Sequence, residues 1–507
     1  MEPTDRSRKT FIAILAFLIL LHIILIATSR LYPFTDMPNH LAAATIYRHH
    51  DDPGSRFPEY YRQDLFLKPN TFHAIFCSLP IFPSVESANR VFLSLYAVLL
   101  PLSVLLLIRR LGGREWFALL SFLVLYNYNL SWGFVGFAFS IPLILFLIAF
   151  TASLLRDGGA LNGAAVAAGL VLLFFIHALA AVFAALLFLA CCIVSGRRSP
   201  VEKARACAVL APVLLIIALW WGRETAQDRG TGTFDFLRTY YESEYFKTLL
   251  SRKNFLFLDN YSLYEGMKGT VCGLLFASCI VAPAIALLAR RTSFGAYRRS
   301  EPGRISLTFA ALSLACFVLL PSLLPGQTIL YQRFSALVLI SLVILGSILA
   351  HKTPHIVVRA GICAACFVHL VLWAGYFTGF NRENTAFTPS FLPEGREGKL
   401  AGLIYDLRYR GKPVYIHFPN YYIVWKKGIA STKIIDYRFG AIRRRVGPAE
   451  LPPYEEWISL IRGSTDTYRD MDYLLVRGFP RPGQEGSLAG FEAARAKGAW
   501  ALYERTW

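Results

Sequence analysis

Eleven apolar runs separated by polar segments constrain this chain more than any other feature. They cover residues 11–28, 91–108, 116–126, 133–155, 161–176, 178–195, 206–221, 269–289, 305–324, 333–350 and 356–377. A helix that crosses a bilayer core needs about 20 apolar residues, and 55% of the 507 residues are hydrophobic. The sequence therefore predicts a mainly α-helical, polytopic membrane protein with about 11 spans.

The distribution of basic residues predicts the topology. Lys and Arg outnumber Asp and Glu by 52 to 33, for a net charge of +19. The basic residues cluster between apolar runs, at 109–114, 197–205, 290–304 and 352–359, and short basic loops are typically cytoplasmic. With the N-terminus inside, eleven spans place every cluster inside and the C-terminus outside. Because the charges do not form one basic surface, we predict no nucleic-acid partner.

The chain divides into a membrane part and a polar tail. Residues 1–377 are predicted to form the transmembrane domain, with long outer loops at 29–86 and 222–268. The tail, residues 378–507, has no apolar run long enough to span a membrane. Its pattern predicts helices at 393–408, 452–462 and 487–497 and strands at 413–419, 471–479 and 499–505. This alternation predicts a small extracytoplasmic α/β domain.

The first outer loop begins with Thr35-Asp36-Met37-Pro38-Asn39-His40. Ionisable groups beside a membrane often mark chemistry or transport, which makes Asp36 a candidate catalytic acid. An Asp shortly before a Pro is also a common helix start, so Asp36 has a second interpretation as a helix cap. His40 lies one helical turn later, and it either lines the same site or packs against a neighbour.

This segment and the overall layout resemble the glycosyltransferase C superfamily. The resemblance implies an integral-membrane enzyme that uses lipid-phosphate-linked sugars, with Asp36 as the catalytic acid of the first extracytoplasmic loop. It implies transfer from a polyprenyl-phosphate carrier to an envelope acceptor, which could be a glycan, a lipid or a protein, at a bacterial inner membrane. The sequence has no second acid directly beside Asp36, so the use of a divalent cation stays open.

Sugar transfer to a hydroxyl needs a base that takes the hydroxyl proton. A carboxylate partly removed from water is suited to this task, so we predict that Asp36 is the base. Five further polar residues of the loop are predicted to position sugar hydroxyls or a phosphate: Asn39, His40, Asp64, Asn70 and His73.

Three basic residues outside this loop are candidates for binding the donor. Arg333 enters the tenth predicted span from the outside, where a cation opposes the positive-inside trend and indicates an anionic partner. Its guanidinium could hold the carrier phosphate, or it could form a structural salt bridge with a loop acid. His177, in a predicted outer turn, either contacts the phosphate or caps the turn. Arg223 is a second phosphate candidate, although arginines beside a span often only extend to the membrane surface.

Two other segments carry polar and aromatic residues outside the membrane. Asn127, Asn129 and Trp132 lie in a short outer turn, and they form either a sugar-binding face or an interfacial belt. Loop 222–268 is rich in Tyr and Phe and resembles an amphipathic lid.

Two alternative functions compete with the enzyme. A lipid or solute transporter would show internal repeats and charged residues at the membrane midplane. The sequence does not favour a transporter, because it shows neither feature. A non-catalytic envelope scaffold would make the basic tail the functional part, binding envelope polymers or anionic lipids.

Overall fold

The computed structural model describes residues 5–196, 198–227, 238, 240–261, 266–289, 291–324, 327–350, 354–395, 397–430, 440–445, 468–479 and 488–506. Eight helices within these ranges are long and apolar enough to cross a membrane. They are Ser7–Thr28, Val85–Arg110, Val135–Asp157, Pro200–Arg223, Met267–Leu288, Glu301–Leu319, Tyr331–Leu349 and Ile356–Glu383. The chain is thus a multi-pass membrane protein, as predicted.

The predicted number of about 11 spans is not confirmed. Two of the predicted spans form shorter apolar helices, Ala160–Ile176 and Ala178–Val194. The run at 116–126 forms a ten-residue 3-10 helix, Glu115–Val124, instead of an α-helix. Its residues from Trp116 to Val124 are all buried, so burial on every side accounts for this apolar run. A 3-10 helix of this length extends about 20 Å.

By its contacts the chain forms two compact units. The first unit contains Met1–Ile26, Leu93–Leu130 and Val135–Ala374. Besides the apolar helices it contains the shorter helices Tyr245–Leu249, Arg252–Phe257 and Arg291–Arg299, the π-helix Tyr240–Glu244 and the 3-10 turn Tyr331–Phe334. The second unit contains Ala27–Phe92, Ser131–Phe134 and Gly375–Trp507.

The helices that lie wholly within the second unit are short, and most of them belong to the first outer loop. They are Met37–His49, Phe57–Tyr60, Phe72–Ser78 and Tyr421–Lys426, with 3-10 turns at Pro389–Phe391 and Phe418–Asn420. The first outer loop and the tail share one compact unit, although Asn39 and Asn420, which are hydrogen-bonded to each other, lie 381 positions apart in the sequence.

The strands of the chain, in order, are β1 (Tyr61–Gln63), β2 (Leu323–Leu324), β3 (Gln327–Thr328), β4 (Lys399–Ile404), β5 (Ile429–Ala430), β6 (Ile442–Arg444), β7 (Tyr473–Arg477), β8 (Phe491–Lys497) and β9 (Trp500–Arg505). Five strands of the tail form a mixed sheet in the order β5-β4-β7-β9-β8. Strand β4 is parallel to β5 and β7, while β9 is antiparallel to β7 and β8. Strands β1 and β6 pair separately and join the first outer loop to the tail.

The element predictions for the tail are correct in part. The predicted strands at 471–479 and 499–505 are confirmed as β7 and β9. The predicted helices at 393–408 and 487–497 are wrong, because these stretches contain β4 and β8. The predicted strand at 413–419 is a turn that leads into the 3-10 turn Phe418–Asn420. The predicted helix at 452–462 lies outside the described residues.

The wrong assignments have a physical reason. Strand β4 pairs on both sides and four of its six residues are buried, so it lacks the alternation of a half-buried strand. Strand β8 is an exposed edge strand rich in Ala, Lys and Arg, residues that favour helices when they are considered alone. In both cases the pairing of the sheet overrides the local preference.

Candidate active site

Asp36 lies directly before helix Met37–His49, but its side chain makes no capping hydrogen bond. The N–H of His40 donates to the carbonyl oxygen of Asp36 at 3.1 Å, which places His40 one turn later, as predicted. Pro38 occupies the first turn, where its missing N–H has no intrahelical partner to lose. The interpretation of the Asp36 side chain as a helix cap is therefore contradicted.

The Asp36 carboxylate instead contacts a histidine of the tail. His417 Nε2 lies 2.9 Å from Asp36 Oδ1. The His417 side chain is 2% exposed, whereas that of Asp36 is 27% exposed. Because a carboxylate only accepts hydrogen bonds, His417 is the donor. Asp36 thus presents a partly accessible carboxylate that a buried ring holds on one oxygen.

A second contact fixes the same helical turn. Asn420 Nδ2 donates to Asn39 Oδ1 at 2.5 Å, and both residues are buried. His417 and Asn420 lie immediately before and at the end of the 3-10 turn Phe418–Asn420. The tail segment 417–420 therefore contacts the start of helix Met37–His49 at two points.

The chain leading to His417 is itself anchored. Buried Tyr415 donates its hydroxyl to Glu383 Oε1 at 2.7 Å and receives a hydrogen bond from Asn384 Nδ2 at 2.9 Å. The Arg477 guanidinium lies 3.6 Å from the centre of the Tyr415 ring and pairs with Glu383 at 2.6 Å. Burial raises the pKa of Tyr415, so its hydroxyl stays protonated as a donor.

The segment 131–134, which begins at the end of the predicted outer turn 126–132, packs against the backbone of Asp36. The N–H of Asp36 donates to the carbonyl of Trp132 at 2.9 Å. Gly133 has a φ of +82°, and a Cβ there would lie 2.6 Å from the nitrogen of Asp36. Only glycine fits this close approach without a shift. The half-buried rings of Trp132 and Phe134 stack with centroids 6.3 Å apart.

Two predicted site residues of the loop, His40 and His73, contact each other, with ring centroids 5.4 Å apart. His73 is buried, and its Nε2 lies 3.0 Å from Asn89 Oδ1. Burial, and secondarily the nearby His40, lower the pKa of His73 to about 3. His73 is therefore neutral near pH 7, and His40 is the more accessible of the two rings.

Asp64 and Asn70 lie elsewhere in the second unit. The Asp64 carboxylate pairs with buried Lys68 at 3.2 Å and with Arg443 of β6 at 3.2 Å. This arrangement joins the loop to the tail and is typical of a structural ion-pair network. Asn70 is half-buried and has a φ of +60°, a conformation that asparagine adopts more readily than most residues.

The first unit brings together two of the predicted donor-binding residues. Arg333 Nη1 lies 2.8 Å from His177 Nε2, and His177 forms the break between helices Ala160–Ile176 and Ala178–Val194. A guanidinium only donates, so Nε2 is the acceptor and the ring carries its proton on Nδ1. Both side chains are half-buried.

Backbone carbonyls orient the Arg333 guanidinium further. Its Nε donates to the carbonyl of Ile329 at 2.8 Å and its Nη2 to that of Thr328 at 3.2 Å. Ile329 has a φ of +58°, which is unusual for a β-branched residue and is found mainly at constrained sites. Asn129 Nδ2 donates to the carbonyl of Arg333 at 2.9 Å, so one amide of the predicted outer turn positions this residue.

Arg223 ends the apolar helix Pro200–Arg223 and lies in its second α-helical part, Ala211–Gln227, where its side chain is half-buried. Within the described ranges, no group of three His, Cys, Asp or Glu side chains is arranged to hold a metal ion. The described surroundings of Asp36, with one imidazole and no second carboxylate, do not form a cation site.

His417 and Asn420 are the residues that the sequence did not indicate. His417 lies in Pro413-Val-Tyr-Ile-His-Phe-Pro419, which resembles a strand, and no spacing or motif relates it to Asp36. The one signal in the sequence was a histidine between two prolines in the polar tail. Such a residue is a general candidate for a site, but nothing local identifies its partner.

No family model and no curated protein matches this sequence. Two solved structures are similar in fold: the arabinofuranosyltransferase AftD from Mycobacteria, determined by single-particle cryo-EM, and a mutant of the same protein. They are 14% and 13% identical to this chain, each with a TM-score of 0.49. The alignments cover 99% and 98% of this chain but only 40% and 41% of the solved chains. This chain spans about two fifths of their length, and the likeness is too distant to transfer their activity.

Proposed function

We propose that this protein is a membrane glycosyltransferase that moves a sugar from a polyprenyl-phosphate carrier to an acceptor at the outer surface of a bacterial inner membrane. The acceptor is an envelope glycan, lipid or protein. The observation that carries the proposal is the state of Asp36, whose carboxylate is partly exposed, does not cap its helix and is held by a buried histidine.

The reaction requires one proton acceptor and one leaving group. The acceptor hydroxyl oxygen forms a bond to the anomeric carbon while the bond from that carbon to the phosphate oxygen breaks. The electron pair leaves with the polyprenyl phosphate, and the hydroxyl proton moves to the Asp36 carboxylate. A base at this position is expected to contribute roughly a hundredfold or more to the rate.

The contacts of the predicted binding residues divide them into two groups. His40 is half-buried and one turn from Asp36, which suits it to contact a sugar hydroxyl. Asn39 and His73 are buried and bonded to Asn420 and Asn89, so they act by holding the loop. We assign Asp64 the same supporting role, because Lys68 and Arg443 surround it.

In the first unit, Arg333 and His177 are our candidates for binding the carrier phosphate. The guanidinium can offer a fork of donors to phosphate oxygens. The carbonyls of Thr328 and Ile329 fix its orientation, which lowers the entropy lost on binding. Arg223 and Asn70 remain weaker candidates, supported only by their half-exposed positions.

The test uses purified full-length protein in detergent or nanodiscs. The probes are synthetic farnesyl-phosphate-linked pentoses and hexoses, with alkyl glycosides as acceptors, and released farnesyl phosphate is measured. We expect Asp36→Asn to lower the rate at least ~100-fold and to leave the melting temperature nearly unchanged, because the amide keeps the shape of the carboxylate.

Asp52→Asn is the matched control. Asp52 lies in the same loop and pairs with His49 at 2.7 Å, so the change also replaces a bonded carboxylate by an amide. We expect its transfer rate to match that of the wild type. Normal turnover in the Asp36→Asn variant would refute the assignment of the base.

A further inference from the structure

We infer that the tail completes the catalytic site: His417 is a positioning residue that holds Asp36 Oδ1 and leaves Oδ2 as the oxygen that accepts the proton. This inference rests on the proposed function and deepens it. It assigns an active-site role to the extracytoplasmic tail, which would otherwise be an accessory domain.

The geometry distinguishes the two oxygens of the carboxylate. His417 donates to Oδ1 at 2.9 Å from a position that is 2% exposed. A lone pair that accepts a buried N–H is unavailable for the proton of a substrate hydroxyl. The remaining oxygen of the 27% exposed side chain is therefore the better acceptor.

The contact also replaces the interaction that usually orients an Asp at this place. An Asp before a helix normally turns its carboxylate back to the first N–H groups, and Asp36 does not. The His417 N–H competes for this carboxylate and keeps it away from the helix end. Removing the donor should let the side chain rotate back towards the helix.

Hydrogen bonds on both sides of His417 in the sequence fix its position. Asn420 contacts Asn39 at 2.5 Å in the next turn, and Tyr415 fastens the preceding segment to Glu383 at 2.7 Å. The ring therefore has little freedom, as expected of a residue that holds a catalytic group within a few tenths of an ångström.

The experiment compares two substitutions of His417. His417→Phe keeps a ring but loses the donor, and His417→Gln keeps an N–H near the position of Nε2. We expect His417→Phe to lower kcat roughly 10- to 100-fold, by analogy with the loss of residues that orient metal ligands, with the donor KM changed less than about threefold. His417→Gln should recover most of kcat.

Tyr61→Phe is the matched control, since it removes one buried hydrogen bond between the first outer loop and the tail, from the Tyr61 hydroxyl to the carbonyl of Ala430 at 2.8 Å. We expect it to lower the melting temperature but to leave kcat per folded molecule unchanged. If His417 is merely structural, all three variants lose melting temperature and none loses kcat per folded molecule, which overturns the inference.

A double-mutant cycle separates this inference from the proposed function. If His417 acts through Asp36, His417→Phe has no further effect on the residual rate of Asp36→Asn. If the losses in rate of the two single variants multiply in the double variant, the two residues act independently, which would contradict the inference. Normal turnover of Asp36→Asn would refute the proposed base, whereas an inactive Asp36→Asn with a fully active His417→Phe would refute only the role of His417.

Discussion

The stability of the first outer loop depends on pH through the buried ring of His73. Burial lowers the pKa of His73 to about 3, below the value of about 6.5 for an exposed histidine. Between these two values the unfolded chain binds a proton that the folded chain does not. The contribution of His73 is therefore fully present above pH 6.5 and is lost progressively as the pH falls towards 3, by up to about 1.4 kcal/mol per pH unit.

His73→Gln tests this relation, because glutamine can still donate to Asn89 Oδ1 but does not titrate. We expect the melting temperature of the wild type to fall more steeply between pH 6.5 and pH 5 than that of the variant. Thermal unfolding of both proteins in the same detergent provides the measurement. If the two curves of melting temperature against pH run parallel, the His73 ring is protonated in the folded protein as readily as in the unfolded chain.

At the level of elements, the segment 131–134 packs closely against the backbone that precedes helix Met37–His49. A methyl group at Gly133 would lie 2.6 Å from Asp36 N and 3.0 Å from Asp36 Cα. Gly54, in the same unit, also has a positive φ, but a methyl group there would have no atom within 4 Å. The two glycines thus share a positive φ and differ in their surroundings.

We expect Gly54→Ala to cost about 1–2 kcal/mol, the penalty for a left-handed residue with a side chain. Gly133→Ala carries the same penalty and in addition displaces the Asp36 backbone, so it should destabilise the protein more and lower the transfer rate per folded molecule. Thermal unfolding and the farnesyl-phosphate assay measure the two effects. Equal losses in both variants would show that the close approach at Gly133 has no consequence.

The elements also show how far the sequence alone could predict this protein. The apolar helices were predictable because a span is specified by its own composition. Strands β4 and β8 were not, since their pairing partners decide their conformation. Asp36 and His40 were found because they follow a span directly, whereas the contact of His417 with Asp36 depends on the folding of the whole tail. Local patterns therefore indicated the candidate acid but not the residue that orients it.

For the protein as a whole, the contacts of the second unit bear on the topology. His417 contacts Asp36, and β6 pairs with β1, so the first outer loop and the tail lie on the same side of the bilayer. An even number of crossings must then separate them. In the described part of the chain, seven long apolar helices, two shorter ones and the 3-10 helix Glu115–Val124 lie between them. If all ten elements cross the bilayer, the number of crossings is even.

This parity, together with the cytoplasmic assignment of the basic loops, predicts that the N-terminus is inside and that the tail is outside. Alkaline phosphatase fused after residue 507 should be active, and a green fluorescent protein at the same place should stay dark. The same reporters fused after residue 112 of a truncated chain serve as the control and should give the opposite result, because this position follows the basic end of helix Val85–Arg110. A fluorescent fusion after residue 507 would place the tail, and with it Asp36, on the cytoplasmic side, where an outer-surface acceptor cannot reach it.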